Sequence, residues 1–302
     1  MAKRKSKKAS KKKTKKTSKK ATKKRAKKKN AKKVDDVPVV RLDSFFANLG
    51  GGGRMAKTSP LDEAQQIMYD AWEAPTCRKA VALAKKALKV SADCADAYTF
   101  LADYDASWDD EALELYQKGV EAGKRALGAR AFKEDVGYFW GLLETRPYMR
   151  ALAGLARNLW NVGRHDEAIG HYRELLRLNP NDNQGIRDLL MAALLQLDRN
   201  DEAEELFKQY KNGCMAVWMY SRVLLDFRAK GDTPVAGKSL KAALEENRNV
   251  PAYLTGRKSM PRELPGHYGF GDDNEAILYV HENKAAWEAT PGALEWLASK
   301  AK

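Results

Sequence analysis

The chain has 302 residues, 44% of them hydrophobic, which is enough apolar material for one or two sizeable cores. Its formal net charge of +15 hides a division: residues 1–33 hold 20 Lys and Arg and no acid, leaving 35 basic against 40 acidic residues over 34–302. Three widely spaced cysteines, Cys77, Cys94 and Cys214, form no CxxC pair, which argues against a disulfide scaffold and predicts a reduced, cytoplasmic location. No apolar run follows the basic N-terminus, so it does not read as a secretory signal. The longest apolar stretch, Leu189–Leu197, is broken by Gln196 and is far too short to span a bilayer.

Residues 1–33 alternate lysine pairs and triplets with Ala, Ser and Thr, and after Met1 carry nothing apolar larger than alanine. Nothing there offsets the entropy of ordering, so a disordered polylysine tail is predicted. Its cations are Lys3, Arg4, Lys5, Lys7, Lys8, Lys11, Lys12, Lys13, Lys15, Lys16, Lys19, Lys20, Lys23, Lys24, Arg25, Lys27, Lys28 and Lys29, with Lys32 and Lys33 behind them. Each one held near a phosphate releases condensed counterions, giving sequence-independent and salt-sensitive affinity for nucleic acid. The composition resembles the lysine-rich tails of histone H1-like and nucleoid proteins, which implies the same partner and a nucleoid association. The plainer reading is a solubilising tail that binds any polyanion. Residues 34–60 read as a linker with a flexible break at Gly50–Gly53.

Residues 61–249 carry helical periodicity. Leu61, Ala64, Ile67, Met68, Ala71 and Trp72 mark one face of a first helix, with Ser59 as its N-cap and Pro60 at its first position. Ala80, Leu83, Ala84, Ala87 and Leu88 mark a second. A further pair is Ala95–Tyr104 with Glu111–Val120, after which residues 121–148 interrupt the period, punctuated by Gly123, Gly128 and Gly137. The clearest unit is WNVGRHDEAIGHYRELLRLNPND, Trp160 to Asp182: Gly163 allows the turn, Ala168 the close helix crossing, Tyr172 and Leu175 fill the seam, and Pro180 stops the helix. The small-residue marker recurs at Ala80, Ala112, Ala168, Ala203 and Ala236, with gaps of 32, 56, 35 and 33. A period of about 34 is that of the tetratricopeptide repeat, so the expected fold is an all-α, right-handed helical solenoid of about five helix pairs with an insertion at 121–148.

Residues 250–302 open with the Pro- and Gly-rich run VPAYLTGRKSMPRELPGHYGFGDDNEA, too apolar for a free linker. It predicts an ordered loop packed on the last repeat. Two helices follow, one from about Asp273 to Trp287 capped by Asp272 or Asp273, and one over Pro291–Ser299 capped by Thr290, which together would cap the solenoid.

Three segments resemble the suppressor of tumorigenicity 7 family, in particular its bacterial members. They are Cys94–Ala102 with the helix at Glu111–Gly123; Leu159–Ala168 with Leu206–Tyr210; and Asn249–Leu254 followed by Lys258, Gly271, Glu275, Ala276, Tyr279, Trp287 and Gly292–Leu294. The resemblance covers about 61–298. It implies a tetratricopeptide-like helical body with no established enzymatic activity and supplies no catalytic residues.

No chemistry announces itself in the residues. His165 and His171 are six apart, off the spacing for one metal, and HExxH, CxxC, Walker and GxSxG patterns are missing. No cofactor and no metal is expected. An uncharacterised enzyme with a site near Arg146, His267 and Asp272 is the last of three readings. The first is an interaction protein that binds a protein or peptide partner in the groove lined by the first helix of each pair. There the expected partner-facing residues are Arg150, Arg157, Trp160, Asn161, Asp188, Trp218, Arg222 and Arg228, together with Leu189, Ala192, Leu195, Gln196 and Leu225. Four arginines and two tryptophans suit an acidic peptide with an apolar anchor; alternatively the arginines pair with Asp188 or neighbouring acids. The remaining reading is a nucleoid-associated DNA-binding protein acting mainly through the tail.

Overall fold

A computed structural model describes residues 59–211 and 213–301, so the expected tail at 1–33 and nearly all of the 34–60 linker lie outside the described residues. The described residues form thirteen α-helices and no strand, the all-α class expected. They divide into two compact units, one of residues 59–129 and 144–158, the other of 130–143 and 159–301.

In the first unit α1 (Pro60–Trp72) starts on a capping box: Ser59 Oγ accepts from the Asp62 N–H at 3.1 Å, and Asp62 Oδ2 accepts from the Ser59 N–H at 3.0 Å. Thr76 caps α2 (Cys77–Val90) in the same way, its Oγ1 accepting from the Lys79 N–H. The two helices close on alanine: Ala64 and Ala71 of α1 and Ala80, Ala84 and Ala87 of α2 are fully buried around Met68. α3 (Ala95–Tyr104) packs on both. α4 (Asp109–Glu134) continues through much of the expected insertion, and Gly123 sits inside it rather than ending it. The break comes at Gly128, whose φ of 68° and ψ of 166° are non-helical. α5 (Arg146–Asn161) crosses α4 so closely that a Cβ on Gly154 would lie 2.1 Å from the Tyr116 ring.

The second unit repeats one spacing. α6 (His165–Leu178), α8 (Asn200–Gln209) and α10 (Pro234–Glu246) are each entered through a residue at positive φ: Gly163 at 83°, Asp198 at 56° and Gly231 at 70°. Each stands five residues before its marker alanine. In the first two the hydrogen bonds match: Arg164 N–H donates to Leu159 O and Gly163 N–H to Trp160 O, as Arg199 does to Leu194 and Asp198 to Leu195. That is the closure of a helix by a left-handed residue, which glycine adopts freely and aspartate at some cost. The alanines that follow, Ala168, Ala203 and Ala236, are fully buried.

Between these helices run α7 (Ile186–Gln196) and α9 (Ala216–Lys230), the latter packed on α10 and on α7. The C-terminal part begins with α11 (Val250–Leu254) and an ordered loop. Asn247 Nδ2 holds the Asp272 carbonyl, Asn249 Nδ2 that of Gly271, and Lys258 pairs with Asp273. Asp272 caps α12 (Asp273–Glu288) through the Glu275 N–H at 2.8 Å. The last helix, α13 (Ala293–Lys300), starts two residues later than expected, from Gly292 at φ 76°. The expected cap, Thr290, spends its hydroxyl elsewhere, donating to Ala286 O and accepting from Arg228. α12 packs on α7, α9, α11 and α13.

Candidate functional site

In the first unit the three first helices bring one residue each to a common point. Arg150 of α5 grips Asp96 of α3 in a two-pronged pair at 2.8 and 2.7 Å. Gln65 of α1 donates to the same carboxylate at 2.8 Å, and the guanidinium lies 5.5 Å from the Trp72 ring centroid. Asp96 is 1% exposed, so its charge is held by partners rather than water. Arg150 is therefore a structural cation. Arg157, about two turns on, is exposed and makes no hydrogen bond or ion pair among the described residues. Beside this face a cleft of about 250 Å³ is lined by Asp103, Ser107, Trp108, Tyr116 and Asn158, with Trp108 67% exposed.

In the second unit the expected groove residues are spent on the chain itself. Trp218 is 1% exposed and donates its Nε1–H to Asp188 Oδ1 at 2.9 Å. Arg222 pairs with Glu204 at 2.7 Å and lies 4.5 Å from the Phe207 centroid. Arg228 is 10% exposed, and its guanidinium reaches Thr290, Asn200 and the Ala286 carbonyl, with Asp198 3.3 Å away. Burial pushes its pKa down, as expected of a cation removed from water. Trp160 stacks on His165 with centroids 4.2 Å apart, and Asn161 is exposed. Ala192, Leu195 and Leu225 are buried. The covering element is α12: its Glu282 carbonyl accepts from Gln196, its Ala286 carbonyl from Arg228, and its Tyr279 packs on Tyr220.

Under α12 remains a cavity of about 120 Å³. Asp188 and Leu189 of α7 form one wall, Met215 and Val217 at the start of α9 another, Tyr268 of the loop a third, and Glu275, Leu278, Tyr279, Glu282 and Asn283 of α12 the fourth. Glu275 is 4% exposed and accepts three donors, Ala216 N–H, Asn247 Nδ2 and Gly271 N–H, at 3.0, 2.9 and 2.8 Å. It ties α9, α10 and the loop together. Asp188 is different: desolvation raises its carboxyl to about 6, against the opposing pull of the Trp218 indole and Arg187. Arg187 lies against the rings of Tyr210 and Trp218, 5.3 and 5.7 Å from their centroids.

The residues of the enzyme reading are not gathered in one unit. Arg146 belongs to the first, His267 and Asp272 to the second. Asp272 works as a helix cap, its pKa lowered by the Glu275 and Gly269 N–H groups it accepts, and His267 is exposed. Sequence reasoning missed Asp96, Glu275 and Asn283. A single acid inside an apolar stretch, as in ADAYTF or NEAILYV, was the signal for the first two; nothing in the pattern marked Asn283. The tail cations lie outside the described residues.

A family model described as ST7 protein matches residues 54–301, which takes in all three segments of the resemblance. Among curated proteins the chain is similar to suppressor of tumorigenicity 7 protein-like of Danio rerio, 25% identical over 262 residues that cover 80% of this chain and 45% of that protein. It is also similar to suppressor of tumorigenicity 7 protein of Macaca fascicularis and of Rattus norvegicus, 28% identical over 235 residues, 70% of this chain and 43% and 40% of theirs. The chain thus spans less than half the length of these relatives. No helix among the described residues is long and apolar enough to cross a membrane.

Proposed function

This chain belongs to the suppressor of tumorigenicity 7 family, and we propose that its body is a tetratricopeptide-like, non-enzymatic scaffold for a protein or peptide partner, with a basic N-terminal segment that contacts nucleic acid. One observation carries the scaffold reading: a residue at positive φ followed five residues later by a buried alanine, repeated at Gly163, Asp198 and Gly231. Stacked helix pairs of this kind present a continuous face of first helices, and such faces bind extended partners. In the first unit Arg157 keeps an uncommitted charge for an acidic group, while Arg150, Arg222 and Arg228 act in the framework. The nucleic-acid role rests on the confinement of 20 Lys and Arg to residues 1–33. That same observation favours the second reading, a nucleoid-associated protein acting mainly through its tail.

The test is fluorescence anisotropy of duplex DNA with the full chain and with residues 55–302, at two salt concentrations, beside cross-linked capture with Arg157→Glu. Counterion release demands that the full chain bind and weaken steeply with salt, and that 55–302 bind far less. Partner capture should survive tail removal and fall in Arg157→Glu. Equal DNA binding by both chains overturns the tether, and capture indifferent to Arg157 overturns the groove.

A further inference from the structure

We propose that the cavity beneath α12 receives a primary ammonium group carried on an apolar stem. The site lies where α12 covers the first-helix face, with Asp188 and Leu189 of α7 in its lining, and it calls for a cation where Arg157 calls for an acidic group. Its lining contains three carboxylates, Asp188, Glu275 and Glu282, and no lysine, arginine or histidine. An anion is therefore repelled. Glu275 is already saturated by three donors. Asp188 is not: its Oδ1 accepts from Trp218 and has Arg187 Nε 3.8 Å away, while its Oδ2 accepts no hydrogen bond among the described residues.

The second observation is independent of charge. Asn283 is 1% exposed, and its Oδ1 is buried without a hydrogen-bond partner. Its Nδ2 donates to the Tyr279 carbonyl at 2.9 Å, which fixes the orientation of the amide and leaves the oxygen as the orphan. A buried acceptor left without a donor is costly, and it is the group a ligand with an N–H would relieve. An ammonium brings three donors, enough for the open acceptors of Asp188 and Asn283, two residues that line the same cavity. Leu189, Met215, Val217 and Leu278 would sheathe its methylenes, and Tyr268, 45% exposed, offers a ring face to the cation. At about 120 Å³ the space is a little smaller than the cavity of about 150 Å³ that admits a benzene, which suits a ligand of about five heavy atoms. That is the size of a butylammonium, whether it comes from a free alkylamine or from a lysine side chain.

The Trp218 indole N–H reports directly on Asp188. Its resonance in the ¹⁵N-labelled full chain, assigned through Trp218→Phe, is followed while n-butylamine, n-butanol, sodium butyrate and Nα-acetyl-lysine N-methylamide are added at neutral pH. Butylammonium should shift it saturably. The isosteric alcohol should bind at least about tenfold more weakly, the loss of one charge-assisted contact, and butyrate not at all. Asp188→Asn should weaken butylammonium by about tenfold or more while leaving the helical circular dichroism intact. Asn283→Leu, which removes the orphan acceptor, serves as the second variant and should weaken it as well. A response to the lysine derivative assigns the site to a peptide lysine, and a response to butylamine alone assigns it to a free amine; both support the site. Equal shifts with butanol and butylammonium, or binding unchanged in both variants, overturn it.

Discussion

Replacing Asp96 tests whether the first-helix face of the first unit is held by charge. The carboxylate is 1% exposed and accepts three hydrogen bonds, two from Arg150 and one from Gln65, all between 2.7 and 2.8 Å. Hydrogen bonds to charged groups are worth about 1.5–3 kcal/mol, and breaking one partner of a buried pair costs about 3–5 kcal/mol. Arg150 is 18% exposed, so water reaches part of its guanidinium and the lower end applies. Asp96→Asn should therefore cost about 2–3 kcal/mol, and Asp96→Leu about 3–4 kcal/mol. Removing both charges as Asp96→Leu with Arg150→Met should come back to within about 1 kcal/mol of the parent, because no unpaired ion remains and the desolvation penalty disappears. Urea unfolding followed by far-ultraviolet circular dichroism and tryptophan fluorescence gives the double-mutant cycle. At slopes of about 1–3 kcal/mol per molar, a loss of about 3 kcal/mol moves the midpoint by about 1–3 M. A single Asn variant within about 0.5 kcal/mol of the parent, or strictly additive variants, would refute the idea that this pair is a coupled structural unit.

Two glycines should respond to alanine with opposite signs. Gly154→Ala drives a methyl to within 2.1 Å of the Tyr116 ring and should destabilise by about 1–3 kcal/mol, whereas Gly170→Ala, exposed inside α6 with nothing within 4 Å, should stabilise by about 0.5–1 kcal/mol; thermal melts of both decide it. Asp188, raised to about 6 against an unfolded value of about 3.9, stabilises the fold fully only below the lower value and loses that contribution as pH rises through about 6. Asp188→Asn should then be the more stable chain at pH 7 by about 2 kcal/mol, with the difference vanishing toward pH 4, as read from urea midpoints of the two chains across that range. Of the three thiols, Cys77 and Cys94 are buried and Cys94 is pushed up to about 12, so a disulfide-exchange reagent should titrate Cys214 alone in the native chain and all three in denaturant.

What was legible in the sequence was the local part. The marker alanines at 80, 112, 168, 203 and 236 are all buried because a helix crossing leaves room for a methyl and little more, and that demand imposes a spacing. Gly163 was legible because a left-handed turn favours glycine. Asp198, at the equivalent position, was not: aspartate there is rare enough that no pattern flags it, although the same two hydrogen bonds close the helix. The fates of the groove arginines were out of reach for another reason. Arg150 meets Asp96 across 54 residues and Arg228 meets Ala286 across 58, and helical periodicity says which face a residue is on without saying what comes to cover that face. Asn283 sits on a stripe as one more inward position, and only the packing of α12 shows that its oxygen lacks a donor.

The covering of α7 and α9 by α12 limits how any partner can use that face. To dock in place of α12, an outside segment must expose what α12 buries, including Ile277, Tyr279, Val280 and Trp287, none more than 6% exposed. At about 1.5–3 kcal/mol for each large side chain, displacing these four costs roughly 6–12 kcal/mol, comparable to the whole binding free energy of a micromolar to nanomolar complex. The displaced helix also competes from the same chain, at a high effective concentration that no free peptide matches. A partner of ordinary affinity therefore leaves α12 where it is. Asp188 in the second unit then meets the cavity beneath α12, which Tyr268 also lines. A ligand that fits the proposal there is slender, apolar along its length and rich in donors at its tip, unlike an acidic peptide, whereas Arg157 in the first unit is exposed.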